Sequence, residues 1–330
     1  MCMQSDFATS MHLSGILDVP YGLSKGDPMS DYVLSCCSTC DLTREYLESR
    51  DIHYVYFNYY LNDLPCKDDF GQTNAPADLY AKMLAGADVK TSQVSVGEYM
   101  ESWRPLLEAG KDILHPCLAL GISGTYQSAC TARDQLAAEF PNRKVIIIES
   151  TTASGGYGLL MDKLADLRDE GMALEDLAAW AETHKSEIHT WFIQTDLTFL
   201  IRGGRVSKAS GFLGGLLNIC PLMCVEVDGS LGVKEKIRTK RKAFRRQVEK
   251  MEEFAKDGYD YDERVVITHT ESLADAKAVA DLVKGKFHKI KGNEVLISDV
   301  GATIGCHLGP GGVVLSFWGI PRDKALGAKS

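Results

Sequence analysis

The chain has 330 residues, 45% of them hydrophobic and 25% charged, and its formal net charge at pH 7 is −9. This length favours two domains, and the composition is ordinary for a globular protein. The acidic balance argues against general nucleic-acid binding, and no stretch approaches eighteen uninterrupted apolar residues. We therefore expect a soluble cytoplasmic protein whose ten cysteines are reduced.

The first elements predict a parallel sheet wrapped by helices. Residues 1–30 lack periodicity and are interpreted as an N-terminal extension. The first predicted strand is DYVLSC. A polar turn and the amphipathic helix DLTREYLES follow, and Asp41 is the expected N-cap of that helix. A strand followed by a helix is predicted again at KDILHPCLAL with SGTYQSACTARDQLAAEF, and at KVIIIES with TTASGGYGLLMDKLADLRDEG. This alternation predicts an N-terminal α/β domain over residues 31–180.

The second half of the chain has a different pattern. ICPLMCVEVDGSLGVKEKI predicts a hairpin closed by a DGS turn, and a basic helix begins at about Thr239. A strand RVVITHT and a helix SLADAKAVADLVKGKF follow. Together they predict a C-terminal α/β domain with a mixed sheet over residues 181–330. Periodicity leaves open which sheet contains the last strand, GVVLSFWG.

One segment departs from the acidic balance of the chain. Residues 234–246, KEKIRTKRKAFRR, contain eight basic residues and one acidic residue. This basic strip is either a solvated helix face or a site for an anionic group or an acidic partner.

Four loops combine glycines with hydrogen-bonding side chains: residues 90–95 (KTSQVS), 121–128 (GISGTYQS), 201–207 (IRGGRVS) and 301–312 (GATIGCHLGPGG). In parallel sheets, ligands bind where strands end and helix N-termini present free amides. Any one loop also fits an ordinary cap or turn. Four of them in one chain favour a binding site without naming its ligand.

Common nucleotide and zinc-protease motifs are absent from the sequence. GISGT nearly matches the nucleophile elbow G-x-S-x-G, except that Thr125 replaces the last glycine. A serine hydrolase that uses Ser123, an acid such as Asp299, and His307 therefore stays open as an alternative.

A series of motifs runs through the chain in a fixed order: TSQVS, SGTYQSA, IIES before a glycine-rich helix start, RGGRVS, LLNICPLMCVEVDG, KIRTKRKA and IGCHLGPGG. Taken together, from about Tyr32 to Gly319, they resemble the DegV family of fatty-acid-binding proteins. The resemblance implies a two-domain α/β fold that buries a long-chain fatty acid between the domains, with no cofactor and no metal.

The resemblance also implies a function. The chain would be the non-catalytic, fatty-acid-binding subunit of a bacterial fatty acid kinase, and a separate ATP-binding subunit would phosphorylate the carboxylate. The acyl phosphate would then enter phospholipid synthesis, and transient membrane contact would accompany lipid exchange. A stand-alone lipid carrier or sensor stays open as a further alternative.

The resemblance assigns roles to particular residues. Those expected to bind the fatty acid at its carboxylate end are Thr91, Ser92, Ser123, Gly124, Thr125 and His307. Those expected to contact phosphate or the kinase are Arg202, Arg205, Lys236 and Arg238. Burial of a sixteen-carbon chain would contribute on the order of 12 kcal/mol before association costs, and the carboxylate would need several donors. Hydroxyls and backbone amides meet that need without a full counter-charge.

The segment SCCSTCD, residues 35–41, contains three cysteines. Cys37 and Cys40 have the spacing of half a zinc site or of a thioredoxin-like redox pair. The resemblance instead aligns the segment with a T-D-S-T-A-D-L-like loop near the ligand head group, in which Cys37 replaces the usual acid. On that interpretation the segment is an altered first loop of a lipid-binding cleft whose thiols are open to oxidation.

Overall fold

A computed structural model describes residues 32–206 and 219–327 of the protein. The expected N-terminal extension, residues 1–30, lies outside these ranges. The strands in the described ranges are β1 Tyr32–Cys37, β2 Ile52–Val55, β3 Asn58–Leu61, β4 Leu64–Lys67, β5 Val89–Ser92, β6 Asp112–Cys117, β7 Val145–Glu149, β8 Ile188–Ile193, β9 Ile219–Val225, β10 Leu231–Arg238, β11 Val265–His269, β12 Val295–Asp299 and β13 Val313–Trp318.

The α-helices of the same ranges connect these strands. They are α1 Arg44–Ser49, α2 Pro76–Leu84, α3 Val96–Glu108, α4 Thr125–Glu139, α5 Gly155–Asp169, α6 Leu174–His184, α7 Thr198–Arg202, α8 Lys240–Phe254, α9 Leu273–Lys284, α10 Ala302–Leu308 and α11 Arg322–Leu326.

Two larger sheets confirm the predicted α/β architecture. The first is fully parallel with strand order β2-β1-β6-β7. The second has the order β10-β9-β8-β13-β11-β12, in which only β11 and β12 pair in parallel. The predicted hairpin is β9–β10, and the last strand, β13, lies inside the second sheet between β8 and β11. The mixed sheet is therefore confirmed.

A third, antiparallel sheet was not predicted. Its strand order is β4-β3-β5, and one buried cluster joins it to α2, α7 and α10. Asn62 and Asp63 connect β3 to β4 with φ values of 50° and 62°. Left-handed conformations at both central residues are typical of the tight hairpin turn that Asn and Asp tolerate. The segment NYYLNDLPCK thus carried a hairpin signal.

Helix α5 lies between the two larger sheets. It packs against β8, β11 and β13 of the mixed sheet and against β1 of the parallel sheet. Nearly every residue from Gly155 to Ala165 is buried, including small glycines that allow close approach. One hydrophobic core therefore continues from one sheet to the other. The boundary between residues 180 and 181 falls within α6 and stays a prediction.

The prediction that Asp41 caps the first helix is wrong. Helix α1 begins at Arg44, and its N-cap is Thr43, whose Oγ1 accepts the Tyr46 N–H at 3.1 Å. Asp41 is buried at φ 54°, and its carboxylate accepts the Gly301 N–H at 2.9 Å. A long-range contact with α10 therefore replaces the expected local cap.

Within the described ranges, no helix has the length and apolar character required to cross a lipid bilayer.

Candidate functional site

A cavity of about 360 Å³ lies between the loops of the parallel sheet and one face of the mixed sheet. This volume falls in the range of roughly 300–1,000 Å³ found for small-molecule sites. Much of the wall is apolar and comes from Phe57, Leu118, Ile122, Phe192, Leu200, Val225, Leu231, Ile304, Leu308 and Val314. The cavity suits an apolar ligand.

Strand pairing explains why the mixed sheet presents an apolar surface here. Phe192 on β8 is paired with Val314 on β13, so their side chains lie on the same face. In the adjacent pair of strands, Val225 on β9 is paired with Leu231 on β10. All four side chains line the cavity.

Hydrogen-bonding groups gather on another part of the wall. Strand β5 ends at Thr91 and Ser92, the loop before α4 supplies Ser123 and Gly124, and α10 supplies His307. Thr91 Oγ1 and His307 Nε2 are 2.7 Å apart. The structure thus brings together groups predicted from separate loops.

Six of the ten residues expected from the sequence line this cavity: Thr91, Ser92, Ser123, Gly124, Arg205 and His307. Thr125 does not, because its side chain is fully buried and its Oγ1 lies 2.8 Å from the Tyr99 hydroxyl. Its backbone N–H is held by Ser123 Oγ at 3.3 Å. Ser123 Oγ is an acceptor in that contact, so its hydroxyl hydrogen can still be donated to a ligand.

The other three residues lie outside the cavity wall. Arg202 is exposed at the end of α7. Lys236 and Arg238 are exposed on β10, the strand whose first residue, Leu231, lines the cavity. At about 3.3 Å per residue, Arg238 lies roughly 20 Å along the strand from Leu231. These cations are placed for a surface contact rather than for direct contact with a buried ligand.

The electrostatic character of the polar wall is set by His307 and Arg205. Burial, and secondarily the charge of Arg205, lower the pKa of His307 to about 4. The imidazole is therefore neutral near pH 7. The Arg205 Nε–H donates to the Ile122 carbonyl at 3.3 Å, and burial lowers the pKa of Arg205 without discharging it. The wall offers neutral donors beside one cation, a combination suited to a carboxylate.

The hydrolase alternative is not supported by the geometry. His307 Nε2 contacts Thr91, and Asp299 Oδ1 lies 3.2 Å from Nδ1 of a different histidine, His269. A nucleophile triad requires the serine, the histidine and the acid in one hydrogen-bonded series. Ser123, His307 and Asp299 do not form that series.

Several residues of the site were not singled out from the sequence. The Gln93 amide donates to Ser128 Oγ at 2.8 Å, and its Oε1 would lie 2.5 Å from a Cβ at Gly124. Gly203 is equally constrained, because a Cβ there would lie 2.1 Å from His307 Nδ1. The sequence signals were the glutamine of TSQ and the glycine pair of IRGGRVS.

Three of the eight basic residues in the strip, residues 234–246, form ion pairs. Lys234 pairs with Glu226, Lys240 with Asp275 at 2.7 Å, and Arg246 with Glu235. The side chains of Arg241, Lys242 and Arg245 are exposed on α8. The strip therefore retains cationic surface away from the cavity.

The cysteine-containing loop lies next to the site without lining it. Cys36, Cys37 and Cys40 are fully buried, and Cys36 Sγ lies 3.8 Å from Cys40 Sγ. Asp41 accepts a hydrogen bond from Ser154 Oγ, and Ser154 does line the cavity. In residues 32–206 and 219–327, no three His, Cys, Asp or Glu side chains are grouped to hold a metal ion.

Comparisons with known proteins agree with this architecture. A family model described as "Uncharacterised protein, DegV family" matches residues 37–318. A DegV domain-containing protein of Streptococcus pyogenes serotype M1 is 32% identical over 274 residues, which cover 83% of this chain and 93% of the relative.

Solved structures show the same fold. A DegV family protein from Thermus thermophilus, described for its fatty acid binding, has a TM-score of 0.76 at 26% identity and covers 88% of this chain and 99% of its own. The Streptococcus pneumoniae fatty acid kinase (Fak) B3 protein, loaded with linoleic acid, has a TM-score of 0.76 at 21% identity with the same coverage. The family match and the S. pyogenes relative together show that this chain belongs to the DegV family.

Proposed function

We propose that this protein binds a long-chain fatty acid in the cavity, with the carboxylate at the wall formed by Thr91, Ser123 and His307. The observation that carries the proposal is the geometry of the cavity, in which an extended apolar wall meets one group of hydroxyls, an imidazole and Arg205. The fatty-acid binding described for the T. thermophilus structure supports the same ligand class.

The two parts of the wall do different work. Each buried methylene of the acyl chain contributes about 0.8 kcal/mol, so the apolar wall supplies most of the affinity. The carboxylate contributes little net affinity, because it loses its hydration on entry. The polar wall instead selects for a carboxylate. Each hydrogen bond to a charged group is worth about 1.5–3 kcal/mol, and a ligand without that group would leave buried donors without an acceptor.

We further propose that the protein presents this carboxylate to a separate ATP-binding kinase subunit in the cytoplasm. A carboxylate oxygen attacks the γ-phosphorus of ATP, ADP leaves, and the product is an acyl phosphate for phospholipid synthesis. The S. pneumoniae fatty acid kinase (Fak) B3 protein, which shares this fold, is the observation that suggests this role. The protein itself binds and orients the ligand, while Arg202, Arg205, Lys236 and Arg238 contact phosphate or the kinase.

Mass spectrometry of the purified protein after denaturation tests the binding step. We expect one fatty acid per chain, or stoichiometric loading when palmitate is added. A protein that arrives lipid-free and takes up no fatty acid would disprove the proposed function.

A kinase assay tests the second step. With ATP and a cognate kinase subunit, Ser123→Ala should form acyl phosphate more slowly than the unaltered protein, and Ser49→Ala, an exposed hydroxyl on α1, should not. Unchanged activity of Ser123→Ala would show that Ser123 is misassigned. Bound fatty acid without acyl phosphate would favour a stand-alone carrier.

A further inference from the structure

Helix α10 carries much of the site but has no cap of its own. Thr303, Ile304, His307 and Leu308 all line the cavity from this helix. Its N-cap is Gly301, which has no side chain to accept the first amide hydrogens. Gly301 and Ala302 are half-buried and Thr303 is buried, so their N–H groups need acceptors from elsewhere in the chain.

Two carboxylates from the other half of the chain supply those acceptors. Asp68 Oδ1 accepts the Ala302 N–H at 2.8 Å, and Asp68 Oδ2 accepts the Thr303 N–H at 3.0 Å. Asp41 Oδ1 accepts the Gly301 N–H at 2.9 Å. Three successive amides at the start of α10 are thus bound by side chains more than 230 residues away in sequence.

The glycine at position 301 makes this arrangement possible. A Cβ at Gly301 would lie 3.0 Å from Asp41 Oδ1 and 3.0 and 3.1 Å from the two oxygens of Asp68. A Cβ at this position would require the two carboxylates to shift by a few tenths of an ångström. The close approach is therefore a specific feature of the packing.

This arrangement is energetically costly. Asp41 and Asp68 are 3% and 1% exposed, and neither forms an ion pair within the described residues. Burial raises the pKa of both carboxyls, and each is raised further by a neighbouring carboxylate, which for Asp41 is Asp68. Buried acids without a cation reduce stability, and folds retain such conflicts mainly where function requires them.

We propose that Asp68 is a positioning residue for His307: by binding both leading amides of α10, it fixes the helix so that the imidazole meets the fatty-acid carboxylate. This inference rests on the proposed fatty-acid binding. It predicts that Asp68 acts on the carboxylate end of the ligand and leaves the acyl-chain wall unchanged.

Asp68→Asn tests the proposal, because the amide group replaces one acceptor with a donor and opposes one of the two N–H groups. Dissociation constants are measured for palmitate and for hexadecan-1-ol, which has the same chain without the carboxylate. We expect palmitate to bind about tenfold more weakly and the alcohol to change less than twofold. Asp69→Asn removes the adjacent carboxylate, which accepts the Thr73 N–H and contacts none of the α10 amides, and should change neither value.

A spectroscopic measurement gives a second readout. The His307 imidazole, titrated by NMR, should have a pKa of about 4 in the unaltered protein and a pKa shifted toward 6.5 in Asp68→Asn, because a loosened α10 admits water.

The outcomes separate the two proposals. Failure of the unaltered protein to bind palmitate would refute the proposed function itself. Normal binding with an unchanged palmitate-to-alcohol ratio in Asp68→Asn, or with equal weakening of both ligands, would overturn the positioning role. If Asp68→Asn does not fold, Gly301→Ala displaces the same carboxylate, and the same selective loss of palmitate is expected.

Discussion

Thr91 Oγ1 and His307 Nε2 lie 2.7 Å apart on the cavity wall although 216 residues separate them in the chain. Thr91 ends a strand of the small antiparallel sheet, and His307 lies in the last turn of α10. One buried cluster joins that sheet to α10. The polar end of the site is therefore built on its own small core, and its geometry depends on how tightly that core is packed.

The packing around His307 gives a first prediction. Gly203→Ala should weaken palmitate binding about tenfold, because the added Cβ would lie 2.1 Å from His307 Nδ1 and force the imidazole to move. The backbone tolerates alanine, since Gly203 has φ −71°. Titration calorimetry with palmitate measures the effect. Gly97→Ala, whose Cβ would meet no atom within 4 Å, is the control and should bind normally.

The cysteine loop gives a prediction against a redox or metal role. Burial raises the pKa of Cys37 to about 12, and Cys36 and Cys40 are also fully buried. Because the thiolate is the reactive form, iodoacetamide should alkylate the half-buried Cys66 and Cys130 before the other cysteines of residues 32–206 and 219–327. Peptide mapping after timed labelling checks the order. Rapid labelling of Cys37 or Cys40 in the folded protein would revive the redox interpretation.

Buried His115 gives a pH-dependent prediction. Burial, with a smaller contribution from nearby His53, lowers its pKa to about 3, while the unfolded chain titrates near 6.5. Below pH 6.5 the unfolded state binds a proton that the folded state does not, so stability is lost as the pH falls. The loss should approach 1.4 kcal/mol per pH unit.

Urea unfolding of the unaltered protein and of His115→Gln from pH 7.5 to pH 4.5 isolates this effect. The free energy of unfolding of the unaltered protein, relative to that of His115→Gln, should be constant above pH 6.5 and should decrease as the pH falls below 6.5. A difference that does not vary with pH would contradict the prediction.

An ion network centred on Asp162 gives a prediction of stability. This carboxylate of α5 is 2% exposed and accepts hydrogen bonds from Tyr46, from Arg50 at 3.2 Å and from Arg264 at 2.8 Å. Asp162→Asn should lower the free energy of unfolding by about 3 kcal/mol, because two cations lose their shared partner. Chemical denaturation measures the loss. Asp169→Asn removes an exposed carboxylate that also pairs with Arg50, and should cost less than about 1 kcal/mol.

Periodicity and turn chemistry were sufficient to predict the repeated strand–helix units and the hairpin of the mixed sheet. Six residues of the cavity wall were assigned through the family resemblance, and they come from the end of β5, the loop before α4, the segment after α7 and helix α10. The roles of Asp41 and Asp68 could not be predicted, because their partners are backbone amides of a distant helix. The sequence does not show which distant backbone N–H a carboxylate will accept, so a local helix cap was the expectation for Asp41.

The third sheet was missed for a related reason. Its strands have only four residues each, and only every second side chain of β3 is buried. The turn residues Asn62 and Asp63 were the one local signal. Such short strands are stable only through the core they share with α2 and α10.

Helix α5, packed between both larger sheets, makes the two halves of the protein thermodynamically inseparable. A fragment ending near residue 180 would expose the face of α5 that meets β8, β11 and β13, and a fragment beginning there would lack the helix that covers its own sheet. Residues 32–206 and 219–327 should therefore unfold as one cooperative unit rather than as two independent domains.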